Sequence, residues 1–322
     1  MAQLRKTLTR LQLIISRQYP QRRGASYVPS ILATPKEAPS VSWAAVLTPA
    51  KLAREFHLIG TPAKWFGLLA LYHPDVWEIW EERVLHPMPH PHPLHGHPTA
   101  AGLPLSAFKG TLHVAERMGR LNQHPRIPDR SDPNNPKWVP WPYIGDLLLF
   151  LTDARGPYCV NWPLKDTRKA FRRPGPKPRA KPRPDVDDTS AIARNELEIV
   201  YYQDAGIRTV QLSREDIDLP VAHNLYDLFL SHRKATDVAA EVRREAVQHF
   251  VDAVGTGAPA FRVLKHVEGR LGVSKEQAIA LLKQAVWRRD VRVDLFKPVL
   301  MDRPLAAETV DVLDKYAAWF VR

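Results

Sequence analysis

The segment from Gly145 to Phe171, GDLLLFLTDARGPYCVNWPLKDTRKAF, constrains the fold more than any other part of this chain. Its short apolar runs, split by Asp-Ala-Arg-Gly, read as strand, tight turn, strand and then a basic tail. Asp146 opens the first strand and Lys165 closes the second. Adjacent strands carrying a carboxylate and an ammonium are what a metal-dependent nuclease uses to cut a phosphodiester. The carboxylate holds the cation, and the lysine steadies the water or the developing charge. Prolines stand in this block where such sites carry polar ligands.

A chain of 322 residues exceeds one typical core and predicts two domains. Its 44% hydrophobic and 25% charged residues describe a globular protein. The net charge of +12 predicts a polyanionic partner, nucleic acid before an anionic membrane. No apolar run approaches the ~18–20 residues of a membrane span, so a soluble chain with no membrane partner is expected. The single cysteine, Cys159, excludes an internal disulfide and a multi-cysteine zinc site, and fits a reducing compartment. In a buried strand it reads as inert packing.

Residues 1–40 read as a basic arm with a short helix in LRKTLTRLQLII, followed by extended chain at Pro20, Pro29, Pro35 and Pro39. The first 36 residues contain no acid, which fits a transit peptide or an arm that touches phosphates or a partner. Thr48-Pro49-Ala50 predicts a helix start. A second helix is predicted over Ala63–Tyr72, opened by Thr61-Pro62, and a strand over Val76–Leu85. The stretch 86–98, HPMPHPHPLHGHP, predicts a surface loop, because its prolines splay the imidazoles rather than converging them on one metal. Residues 122–142 predict another loop, ending in Trp138, Trp141 and Tyr143. These aromatics either stack on bases or pack a sheet edge. Residues 172–184 carry Arg172, Arg173, Lys177, Arg179, Lys181 and Arg183 with no acid. They predict an exposed linker or a segment lying along phosphates. Beyond it, ARNELEIVYYQDAG predicts a helix ended by Gly206, IRTVQL a strand, and Ser213 a further helix cap. Residues 236–322 predict a helical domain in which helix, turn and helix precede a short strand, VRVDLFKPV, in winged-helix order. Its second helix would present Lys275, Gln277, Lys283 and Gln284. Asp294 is expected to pair with Arg289 or Arg292.

Three segments together resemble TnsA, the endonuclease subunit of heteromeric cut-and-paste transposases. They are ELEIVYYQDAGIRTVQLSREDIDLPVAHNL (196–225), AKWFGLLALYHPDVWEIWEER (63–83) and the Asp146–Lys165 hairpin. The C-terminal VRVDLFKPV is similar to a strand of the same family, so the resemblance spans roughly residues 45–322. It implies an α/β restriction-endonuclease-like domain over 41–235, a mixed sheet flanked by helices, and an all-α winged-helix-like domain over 236–322. Residues 1–40 then read as an arm rather than a transit peptide. The resemblance also implies nicking of the 5′ ends of transposon DNA with Mg²⁺, a TnsB-like transposase and a TnsC-like ATPase regulator as partners, and a bacterial cytoplasmic location. Residue by residue, the family's strand aspartate falls on Asp146 and its lysine on Lys165. A helix acid falls on Glu198, a possible second metal ligand, and Glu81 matches another family glutamate. The metal-binding helix glutamate falls on Pro62, and the polar position before the lysine falls on Pro163. Proline ligates no metal. The resemblance therefore fits either an active nuclease or a silent relative that keeps the fold and its partner surfaces.

Overall fold

The computed structural model describes residues 6–39, 43–132, 137–173 and 187–322. The chain divides into two compact units, one of residues up to 67, 74–216 and 320–322, the other of 68–73 and 217–319. The boundary expected after residue 235 lies inside the second unit.

The first unit begins with α1 (Leu8–Gln18), β1 (Ala44–Leu47), β2 (Phe56–Ile59), the start of α2 (Thr61–Tyr72) and β3 (Val76–Leu85). It continues with α3 (Thr111–Arg117), β4 (Arg126–Asp129), β5 (Lys137–Pro140), β6 (Tyr143–Asp153), β7 (Gly156–Trp162) and β8 (Leu164–Lys165). Then come α4 (Thr189–Gln203), β9 (Arg208–Thr209) and β10 (Leu212–Ser213). Its main sheet has the order β3-β6-β7-β9. The first three strands are antiparallel and β9 runs parallel to β7, so the sheet is mixed. The Leu147–Leu151 run is apolar throughout because β6 is a central strand: none of these side chains is more than 1% exposed. On one face Trp80, Leu148, Phe150 and Cys159 pack with Leu197, Tyr201 and Tyr202 of α4. Toward the other, Trp162 meets Phe66 of α2. The β6–β7 turn closes where Asp153 accepts the Arg155 N–H at 2.8 Å and Gly156 takes φ +104°. Burial pushes the Cys159 thiol well up, in keeping with inert packing.

Several expectations need correction. The helix expected in the basic arm forms, but the arm is not free: the helix packs on β3, burying Leu11, Ile14 and Gln18. Thr48-Pro49-Ala50 starts no helix. It leads into a turn between β1 and β2, and Ala53 at φ +52° breaks the helical path. The His/Pro stretch is a loop only partly at the surface: Met88 and His95 are exposed, but His90 and His92 are buried, and His90 stacks on Phe108 at 4.7 Å. Residues 126–140 hold the antiparallel ribbon β4–β5 rather than loop alone. Ser213 caps no helix; its N–H and hydroxyl both donate to Asp216 in a turn.

The second unit is helical: α5 (Leu219–Ser231), α6 (Ala240–Ala253), α7 (Ala260–Leu271), α8 (Lys275–Trp287) and α9 (Val312–Lys315). Ser274 and Gln277 form a capping box that starts α8. Helix α8 packs against α5, α6 and α7 and buries Ala278, Leu281, Leu282, Ala285 and Val286. It is the core helix of this unit rather than one displayed for recognition. Gln284 is buried and donates to the carbonyls of Ser231 and Lys234; Lys283 pairs with Asp227 at 2.7 Å. The expected strand in VRVDLFKPV is absent, leaving one bridge between Val293 and Ala307. Asp294 turns the chain there by accepting the Phe296 N–H and pairing with Lys297, while Arg289 and Arg292 pair with Asp311.

Candidate functional site

Residues from four elements converge on a cleft of ≈ 760 Å³ in the first unit. It is lined by Thr61 and Pro62 at the start of α2, Asp146 on β6, Lys165 on β8, and Asp188 and Arg194 around the start of α4. The hairpin delivers Asp146 and Lys165 to one place because β8 resumes just past Trp162, the last residue of β7. Lys165 Nζ lies 3.6 Å from Asp146 Oδ2, and the Leu164 N–H donates to that oxygen at 2.6 Å. Lys165 also donates to the Leu164 carbonyl at 2.9 Å and sits over the Phe171 ring. Asp146 is thus a partly exposed carboxylate with one oxygen engaged by its own hairpin.

Behind it the site is buried. Glu198 of α4 is 5% exposed and accepts an Asn161 amide N–H at 3.1 Å. Burial, reinforced by the charge of Asp146, pushes its carboxyl above the usual range. Asn161 Oδ1 is buried without a partner.

Glu82 is a residue that sequence reasoning does not single out. The register pairs Glu81 with Leu147 and Arg83 with Gly145, so Glu82 stands opposite Asp146 across the sheet. Its backbone is left-handed, φ +46°. That conformation is strained for a glutamate and is held by the Gln18 amide and the Ser30 N–H, which both donate to its carbonyl. Burial first, and Asp146 second, raise its carboxyl well above the ordinary value. The alternation of β3 gives Glu82 no special standing in the sequence; only register and backbone set it apart.

The remaining candidates separate. Glu81 is buried in a two-pronged pair with Arg54 and accepts the His57 N–H, a structural role. Glu196 pairs with Arg120 at 2.6 Å. Arg172 and Arg173 share the one carboxylate of Asp187, which offsets part of their charge. Lys177, Arg179, Lys181 and Arg183 lie outside the described residues.

The donor set does not fit a resident Mg²⁺. Among the described residues no group of three or more His, Cys, Asp or Glu is placed to hold a metal ion. Pro62 and Pro163 offer no ligand, and one Asp146 oxygen accepts the Leu164 N–H and faces Lys165. No helix among the described residues is long and apolar enough to cross a membrane. No family model matches the chain, and no curated protein matches it.

Proposed function

We propose that this chain is a TnsA-like subunit of a DNA transposition complex whose nuclease centre is no longer complete. In this reading it is a scaffold that binds transposon-end DNA and assembles with a TnsB-like transposase and a TnsC-like ATPase regulator in the bacterial cytoplasm. Its first unit is a restriction-endonuclease-like domain and its second a helical module without the wing strand. One observation carries the reading: Pro62, Asp146 and Lys165 line the same cleft. These are the positions to which the resemblance assigns the helix glutamate, strand aspartate and lysine of a nuclease. The architecture persists while one of its metal donors is a proline. A phosphodiester cut with divalent metal needs several oxygen ligands around the scissile phosphate, and among the described residues no three acids are placed to hold one ion together.

A second reading, an active Mg²⁺-dependent nuclease, has one observation in its favour. Glu82 and Glu198 are both raised in part by Asp146, a repulsion that a cation would relieve. Nicking of transposon-end DNA with the partner transposase, in Mg²⁺ or Mn²⁺, decides between them. The scaffold reading expects salt-sensitive DNA binding and partner co-purification that survive Asp146→Ala and Lys165→Ala, with no nicking above background. Metal-dependent nicking that Asp146→Ala abolishes would overturn it.

A further inference from the structure

Three aromatic residues that precede Asp146 in the chain each carry a cation over the ring. Arg126 lies 5.0 Å from the ring centre of Trp138, Lys6 5.9 Å from Trp141 and Arg194 6.0 Å from Tyr143. Trp138 and Tyr143 lie on β5 and β6, with Trp141 between the two strands. From Trp138 to Asp146 the chain covers roughly 25 Å at strand rise. Arg194 itself lines the cleft beside Asp146 and Lys165. Arg194 thus joins the Tyr143 end of the series to the candidate site.

The ribbon end is built to display its pair. In the β4–β5 register, Arg126 faces Pro140 and Pro128 faces Trp138, while Ile127 faces Val139. Strand alternation puts Ile127 on the buried side and leaves Arg126, Pro128, Trp138 and Pro140 together on the other, a face with a cation and no carboxylate. Trp138 is 61% exposed, an unusual position for so large an apolar surface. Most arginines described above are tied to carboxylates. Among the described residues none of Lys6, Arg126 or Arg194 makes an ion pair.

We infer that this cation–aromatic series is a track for a single strand of nucleic acid leading to the cleft. The pairing of chemistries identifies the ligand. Phosphates are met by guanidinium and ammonium groups, and unpaired bases offer flat faces that stack on exposed indole rings. A duplex would use only the charges, because its bases are already stacked. The inference rests on the polyanion-binding reading above, and the experiment separates the two.

Anisotropy of labelled oligonucleotides, single-stranded and as the duplex of the same sequence, is measured on the full chain across a salt series. Trp138→Ala is expected to weaken single-strand binding about fivefold or more. It should leave duplex binding within twofold, and Trp138→Phe should stay near wild type. Arg126→Ala is expected to lower the salt slope for the single strand by about 0.7. Both side chains are exposed, so the variants fold. Wild type that binds with a salt-dependent Kd, and variants that match it, would overturn the track while sparing the polyanion reading. Wild type that binds neither oligonucleotide overturns both. Equal losses on single strand and duplex, or loss of a protein partner with DNA binding intact, overturn the single-strand assignment.

Discussion

At the scale of single residues, the acids of this chain do two kinds of work. Glu37 is the first acid in the sequence, and it organises the segment before it. Its carboxylate accepts from Arg10, Arg17 and the Leu32 N–H. The Arg17 bond is the largest cause holding its pKa at about 2. A folded pKa below the unfolded one gives stability that is present above the unfolded value and lost as pH falls toward the folded value. Glu37→Gln is therefore expected to cost about 1–2 kcal/mol at neutral pH, after discounting for partial solvation. The gap to wild type should narrow as pH drops from ~4.5 toward 2, read from urea midpoints. Glu82 and Glu198 behave in the opposite sense: raised carboxyls weaken the fold as pH climbs past their unfolded value. Two such acids facing Asp146 are a stability cost that a purely structural core would not carry.

At the scale of elements, α8 shows how far a sequence pattern carries. Its start at Lys275, after Ser274, is readable, because the capping box is written in Ser274 and Gln277. Which face it turns inward is not, because alanines and polar residues alternate around it and Gln284 satisfies buried carbonyls rather than solvent. Gln284→Leu is expected to cost about 1–3 kcal/mol, since two carbonyls lose their donor, and to leave DNA affinity unchanged. A loss of DNA binding with stability intact would restore α8 as a recognition helix. Elsewhere the same division holds. β3, β6, β7, α2 and α4 are legible from apolar runs and caps. Of the candidate site, Asp146 and Lys165 are legible from the strand–turn–strand pattern, and Glu198 only through the family resemblance. Glu82 is not, because cross-strand register and a left-handed backbone leave no mark on local pattern. The ribbon β4–β5 is hidden by Pro128 and Pro140, which read as loop, and the packing of α1 on β3 by the segment's lack of acids, which reads as a free arm.

At the scale of the whole molecule, the charge is unevenly divided. Residues 1–216 hold 30 Lys and Arg against 20 Asp and Glu, whereas residues 217–322 hold 16 against 14. The electrostatic pull on a polyanion thus belongs to the first unit, in agreement with a second unit whose central helix is turned inward. The first unit also hides its most conspicuous composition. Of the five histidines at 86, 90, 92, 95 and 97, burial lowers His90 to about 3 and His92 to about 4, so both stay neutral in any ordinary buffer. Only His95 of the five is exposed. What looks in print like a natural affinity tag is folded out of reach. Immobilised nickel, which needs neighbouring imidazoles on one ion, should hold the native chain weakly and the urea-unfolded chain firmly. The imidazole concentration that elutes each would then serve as a direct gauge of whether a preparation is folded.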